Sequence, residues 1–410
     1  MAKIKNIIVQ KYGGSSVADT NRIRAVAKRV AKLSKKGNKM VVVVSALGDT
    51  TDNLIKLASE VTDSPSEREM DMLISTGEQI SVSLLAMALH KLGIKAISFT
   101  GAQVGIITDT SHTKARILNI NTKRIECELK KNKVVIVAGF QGVTVSDDIT
   151  TLGRGGSNLT AVALAKSLSA KLCEMCTDVE GVYTADPRIV KDAKKLSHIS
   201  YEEMLELASA GAQILQPRSI EVAKKFNVPI HIRSSFLDKK GTIVSKEVKA
   251  MEDIVVSGVA VNKNEAKITI CDVPDKPGVA ARIFKNIAQA NINIDMIIQN
   301  VSRTGYTDMS FTVMSKDLNK TLKTAMAIAS KIGAGAVECN ENIAKISVVG
   351  IGMRSHSGIA SRMFAALARD KINIEMISTS EIKISCVISK KNATKAVKAL
   401  HKEFKLKFTK

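Results

Sequence analysis

The first 245 residues alternate short apolar runs with amphipathic stretches. Ile7–Gln10, Met40–Ser45, Ala96–Phe99, Val134–Ala138 and Leu172–Cys176 read as strands. Between them, Arg22–Ser34, Glu67–Lys91 and Asn158–Leu168 carry apolar residues at helical spacing. This βαβα order predicts an α/β domain, a mostly parallel sheet with helices on both faces. Ligands of such sheets collect at the carboxyl ends of the strands. The pattern changes at Phe236–Thr242, a turn, and residues 246–262 read as a charged linker.

The second half contains a repeat. Gly278-Val279-Ala280-Ala281-Arg282-Ile283-Phe284 recurs as Gly358-Ile359-Ala360-Ser361-Arg362-Met363-Phe364, and Asn291–Ile297 recurs as Lys371–Ile377. Two copies are too few for a solenoid. Each runs strand, Gly-containing turn, helix, strand, strand, helix, which predicts two ferredoxin-like βαββαβ sandwiches. The expected domains are 1–245, 263–340 and 341–410, with 246–262 between them.

Composition removes several function classes. At 410 residues there is room for two or three domains, and 45% apolar content suffices for packed cores. No apolar run approaches the roughly 20 residues that span a bilayer. The N-terminus enters a strand directly, so a cytoplasmic protein without membrane contact is expected. The net charge of +22 comes from lysines spread over helix faces, without interleaved aromatics. A solvated surface that favours anionic substrates is expected rather than nucleic-acid binding. Cys173 and Cys176 form a C-x-x-C, but inside a strand, where residues three apart face opposite ways. No second such pair exists to complete a zinc site. The histidines are isolated, and His112 and His356 read as solvated loop residues. No metal ligands are predicted from the protein.

Four loops carry candidate chemistry. Lys11-Tyr12-Gly13-Gly14-Ser15-Ser16 places a lysine, two glycines and two hydroxyls between a strand and a helix. Such a turn offers backbone N–H groups and a positive charge to phosphate. It is not the P-loop pattern. Ser45–Asp52 follows the valine-rich strand, Thr151–Asn158 opens a helix, and Cys176–Arg188 leaves the strand at Leu172. Each alone is an ordinary Gly-rich turn, whereas together, each after a strand, they point to a functional site. Gly77 beside Glu78, inside a helix, signals close approach by another group.

These segments, with Met70–Glu78, Val137–Gly142, Val273–Gly278 and Ser378–Ser385, resemble aspartate kinase along nearly the whole chain. The resemblance implies an amino-acid-kinase fold, a three-layer αβα sandwich, followed by two ACT domains that bind amino-acid effectors at dimer interfaces. It implies phosphorylation of L-aspartate by ATP with Mg²⁺, on the way to lysine, diaminopimelate, threonine and methionine. Lys11 would stabilise the transferring phosphoryl. Thr51, Glu78, Arg154, Gly155, Gly156 and Ser157 would bind aspartate, with Glu78 on the α-ammonium and Arg154 on the α-carboxylate. Tyr12, Gly13, Gly14, Ser45, Thr177, Asp178, Tyr183, Asp186 and Arg188 would join Lys11 at ATP. Lysine, threonine or both would bind at Asp275, Gly278, Ala280, Asn293, Ile294, Asp295, Gln299, Asn373, Ile374, Ser380 and Glu381. A homodimer or higher oligomer would form through the ACT domains.

Three positions depart from the family: Asn158 for its usual Asp, Gln213 for a frequent Lys, and Ser357 for a frequent Pro. Met251 lies where part of the family starts a separate regulatory subunit. A glutamate kinase of the same fold and a catalytically silent amino-acid sensor are the alternatives. A fused homoserine dehydrogenase is excluded by length and by the missing Gly-x-Gly-x-x-Gly.

Overall fold

The computed structural model describes residues 4–212, 214–246, 255–300 and 305–406. Gln213 and Met251 lie outside the described residues. Two compact units are present: 1–182 with 195–208 and 213–249, and 183–194 with 209–212 and 250–410.

In the first unit the strands are β1 Ile7–Tyr12, β2 Lys39–Val44, β3 Ala96–Phe99, β4 Ile106–Thr108, β5 Ile117–Ile120 and β6 Val134–Ala138. They continue as β7 Gln141–Val143, β8 Ile149–Thr151, β9 Leu172–Thr177, β10 His198–Ser200, β11 Ile230–Ser234 and β12 Thr242–Ser245. The helices are α1 Thr20–Lys35, α2 Thr50–Val61, α3 Glu67–Ile74, α4 Thr76–Lys91, α5 Lys123–Lys130, α6 Gly156–Ser167, α7 Tyr201–Ser209 and α8 Pro217–Phe226.

Eight strands form one sheet in the order β10-β12-β11-β9-β1-β2-β6-β3. All its neighbours are parallel except β11 and β12. Val41 to Val44 and Val134 to Ala138 are fully or almost fully buried, as a sheet covered on both faces requires. From β1 the chain builds outward through β2 on one side and later through β9 on the other. The end of β1 is therefore the switch point, where ligands of open α/β sheets bind. Cys173 and Cys176 are both buried and unpaired, with burial pushing Cys176 up to about 12.

Two elements differ from expectation. A small sheet, β5-β4-β7-β8, has strands too short to show a period in the sequence. The α3–α4 run, Glu67–Lys91, is long and apolar enough to cross a membrane, yet half of its most apolar window is buried. Val82, Leu85 and Leu89 pack with α1 and the central strands. It is a core helix, apolar because the sheet covers it.

The second unit contains β13 Gly258–Asn262, β14 Glu265–Pro274, β15 Ile294–Gln299, β16 Tyr306–Met314 and β17 Val337–Asn340. It continues as β18 Ile343–Val349, β19 Met376–Thr379 and β20 Lys383–Ser389, with α9 Val279–Gln289, α10 Leu318–Ile332, α11 Ile359–Arg369 and α12 Ala393–Glu403. The first repeat forms the sheet β15-β16-β14-β17, and the second forms β13-β18-β20-β19. Residues 291–300 and 371–380 show the same burial at every position.

The fourth strand of the second sheet precedes the first repeat in the chain. Val259 pairs with Val348 as Cys339 pairs with Ile268. Residues 258–262, read above as linker, thus complete the second sandwich. Residues 183–194 also join this unit. Ala185, Val190 and Ala193 are buried with α11, α12 and β18, and Thr184 Oγ1 lies 3.1 Å from His401 Nε2. Between the repeats, buried Lys345 holds Glu265 at 2.6 Å and also pairs with Asp295.

Candidate active site

Hydrogen bonds tie five loops at the carboxyl edge of the sheet into two sets, three loops and two, joined by a pair of serine side chains. Ser45 N–H donates to Tyr12 O at 3.0 Å, Gly48 N–H to Gly14 O at 3.2 Å, and Gly139 N–H to Val44 O at 3.0 Å. On the other flank, Ser16 Oγ donates to Ser235 Oγ at 2.9 Å, and Ser235 N–H to Thr177 O at 2.7 Å. The loops after β1, β2, β6, β9 and β11 therefore form one rim.

Lys11 lies within β1 rather than past its end, half-buried at the centre of this rim. Burial lowers its pKa to about 8, against the opposing pull of Cys176, Glu78 and Asp178. A half-buried ammonium in contact with no carboxylate of the described residues is poised to meet an anion. Gly13 and Gly14 follow, the latter at the start of a short 3-10 turn, Gly14–Val17. Tyr12 is fully buried and its hydroxyl bonds Gln10 Oε1 at 3.2 Å. Only its backbone reaches the rim.

Glu78 enters from α4 and is 3% exposed. Ala46 N–H donates to Oε1 at 3.1 Å, while Oε2 is buried without a partner. Burial raises its pKa to about 7, against the Ala46 bond and the Lys11 charge. An unpartnered buried carboxylate oxygen is costly and marks a place where a cationic ligand group would be held. Gly77 makes this approach possible, since a Cβ there would lie 2.8 Å from Ala46 Cβ.

Arg154 stands between β8 and α6, its side chain 90% exposed and 3.9 Å from Asp52 on α2. The first turn of α2, which holds Thr51, and the Arg154 loop are thus brought together. Gly155 caps α6 at φ 73°, and a Cβ there would lie 1.7 Å from Gln216 Cγ. Gly156 and Ser157 begin the helix, and Ser157 lies against Gly139. Asn158 is nine-tenths buried in the first turn of α6.

Thr177 ends β9, with its hydroxyl donating to Asp178 at 2.9 Å. Tyr183, Asp186 and Arg188 belong to the second unit. Arg188 grips Asp186 there with Nη2 at 2.7 Å, which lowers the carboxyl pKa. Among the described residues no group of three or more His, Cys, Asp or Glu could hold a metal ion.

The effector candidates are mostly exposed. Gly278 caps α9 at φ 89°, with Asp275 before it and Ala280 in the first turn. Asn293 precedes the edge strand β15, which holds Ile294, Asp295 and Gln299. Asn373 and Ile374 precede the other edge strand, β19, and Ser380 and Glu381 follow it. Asp295 is engaged by Lys345, and Glu381 pairs with Arg354 at 3.0 Å.

Sequence reasoning missed the Ala46 N–H, since a backbone donor has no residue-type signal. It also misplaced His112, which is no solvated loop histidine. Its side chain is 18% exposed and bonds buried Asp71 at 2.9 Å.

Comparison with known proteins places these features. Residues 6–234 match the amino acid kinase family, and residues 267–329 and 346–404 each match the ACT domain. The chain is 52% identical to an aspartate kinase of Stutzerimonas stutzeri, covering 98% of this chain and 97% of that one. It is 48% identical to an aspartokinase of Mycobacterium tuberculosis, covering 98% and 96%. The structure of Escherichia coli aspartokinase III with aspartate and ADP has a TM-score of 0.82 at 25% identity, covering 97% of this chain and 99% of that one. The same protein with lysine and aspartate has a TM-score of 0.76 at 25% identity, covering 98% and 100%.

Proposed function

Because this chain belongs to the amino acid kinase family and is an aspartate kinase, we propose that it makes 4-phospho-L-aspartate from L-aspartate and ATP at the rim around Lys11. The observation that carries this reading is the pair at the switch point: a half-buried lysine, and a glutamate with one buried oxygen unpartnered. Aspartate presents an ammonium that Glu78 can hold, and ATP presents phosphates that Lys11 can hold. The E. coli relative binds aspartate and ADP together.

The nucleophile is a side-chain carboxylate of pKa near 3.9, already ionised at pH 7. One of its oxygens forms the new bond to the γ-phosphorus while the β–γ bridging P–O bond breaks. The electron pair of that bond leaves with ADP, and no proton moves. The protein must position two anions and neutralise charge on the transferring group. Lys11 and the N–H groups of Gly13 and Gly14 do so at the phosphoryl. Arg154 takes the α-carboxylate, its planar fork suiting two parallel bonds, with Thr51 and Ser157 beside it. Ser45, Thr177 and Asp178 serve the nucleotide. Mg²⁺ would arrive on the phosphates with mostly water ligands. It would neutralise phosphate charge there. Asn158 is compatible with this chemistry, because an ionised carboxylate needs no base.

The decisive experiment is ATP-dependent formation of aspartyl hydroxamate by the purified protein. Product with aspartate and none with glutamate is expected. Product with glutamate alone would replace this reading by a glutamate kinase, and none with either would leave an amino-acid sensor.

The opposite pKa shifts of Glu78 and Lys11 predict a narrow pH optimum. Glu78 must be ionised to hold an ammonium, so kcat/KM for aspartate rises with pH through about 7. Lys11 must be protonated, so it falls again above about 8. A flat profile from pH 6 to 9, or an acidic limb that survives Glu78→Gln, would contradict these roles.

The paired ACT repeats support feedback control by lysine, threonine or both, the end products of a route that also leads to diaminopimelate and methionine. The E. coli relative binds lysine. The edge strands β15 and β19 expose Ile297 and Ile377, suited to pairing with a second copy. The substrates and the six unpaired cysteines suit the cytoplasm.

A further inference from the structure

The fully buried Asp71 of α3 belongs to none of the roles above. Thr113 N–H donates to both its oxygens, at 3.1 and 3.0 Å, and Thr151 Oγ1 donates to Oδ1 at 2.5 Å. His112 Nδ1 lies 2.9 Å from Oδ2. A carboxylate only accepts, so this nitrogen carries the proton. One buried charge thus ties together α3, the loop between β4 and β5, and the end of β8.

That end of β8 leads straight to Arg154. Leu152, which follows Thr151, donates its N–H to Phe140 O at 2.8 Å and accepts from Arg218 Nη1 at 2.9 Å. Gly153 turns at φ 77°, and a Cβ there would lie 3.1 Å from Thr113 O. Thr113 itself sits at φ 62°, a conformation that costs a β-branched residue energy and persists only when its surroundings enforce it. The Asp71 carboxylate supplies that enforcement through two bonds to the Thr113 N–H.

We propose that Asp71, with Thr113, His112 and Thr151, is a positioning cluster that sets where Arg154 meets the α-carboxylate of aspartate. This rests on the reading of Arg154 as the carboxylate ligand. The Arg154 side chain is 90% exposed, so no core packing holds it. Its placement depends on the backbone of its loop, and a shift of about 1 Å at a binding group can cost up to ~10²-fold.

The test compares Asp71→Asn, Thr151→Val, Thr151→Ser and Arg154→Ala, with KM measured separately for aspartate and ATP and folding followed by circular dichroism. Thr151→Val keeps the shape and loses only the hydroxyl, so it stays informative if Asp71→Asn fails to fold. Thr151→Val is expected to raise the aspartate KM by about tenfold, with the ATP KM changed by less than about twofold. Thr151→Ser, which restores the hydroxyl, should bring the aspartate KM back toward its original value. If Arg154→Ala raises the aspartate KM while folded Thr151→Val does not, the positioning role is wrong and the Arg154 reading stands. If Thr151→Val raises both KM values equally, the cluster is merely structural. If Arg154→Ala leaves the aspartate KM unchanged, the Arg154 reading fails and the proposal with it.

Discussion

Lys11→Ala is expected to lower kcat by at least about 10²-fold, the order found when one group that stabilises transition-state charge is removed. The γ-phosphoryl must accept a second anion, and its equatorial oxygens carry the charge of the transfer. Lys11 is the cation that the structure half-buries near the end of β1, where the strand order reverses. Burial matters to the size of the effect, because a charge removed from water acts more strongly on its neighbours. The same burial brings its pKa down to about 8, so an arriving phosphate should draw the proton back and tighten the pair. Single-turnover rates at saturating ATP and aspartate would separate this loss from weakened binding. Turnover near the original value would place the phosphoryl elsewhere.

Glu78→Gln is expected to raise the aspartate KM by about 30- to 150-fold, from the loss of roughly 2–3 kcal/mol for a hydrogen bond to a charged group. The glutamine keeps the length of the side chain, and its carbonyl can still accept from Ala46 N–H. What disappears is the charge behind the unpartnered Oε2. The substitution should not destabilise the fold and is expected to raise the melting temperature, since it removes a buried charge without a partner. A variant that gains stability and loses aspartate affinity would show that the native residue is kept for its ligand. An unchanged KM would assign the ammonium to another group.

Much of the active-site rim was legible because its signals are local. Lys11 to Ser16 needs only neighbouring residues to be read as a glycine-rich turn carrying a lysine at the end of a strand. The cost of Gly77 in a helix pointed to close contact, and the structure identifies the contact as Ala46. The repeat was legible because both copies meet the same packing demand, seen in the identical burial of 291–300 and 371–380.

Other features depend on which distant elements meet. Asp71 lies 41 residues from His112 and 80 from Thr151, and no spacing rule connects them. Strand β13 reads as linker because five residues show little periodicity, yet it fills the edge that the second repeat leaves open. Residues 183–194 continue the chain from β9 but bury their apolar side chains against α11 and α12. Lys345 and Glu265 occupy equivalent places in the two repeats and became an ion pair only when those repeats packed together.

The sequence by itself determined the strands, most helices, the repeat and the glycine-rich, polar character of the loops, because these follow from periodicity, glycine and charge over a few residues. The tertiary structure alone decided which loops form one rim, which carboxylate oxygen stays unpartnered and which strand closes the second sandwich. Those outcomes depend on burial and on long-range pairing. A side chain's solvation, and with it the pKa values of Lys11 and Glu78, exists only once the chain has folded around it.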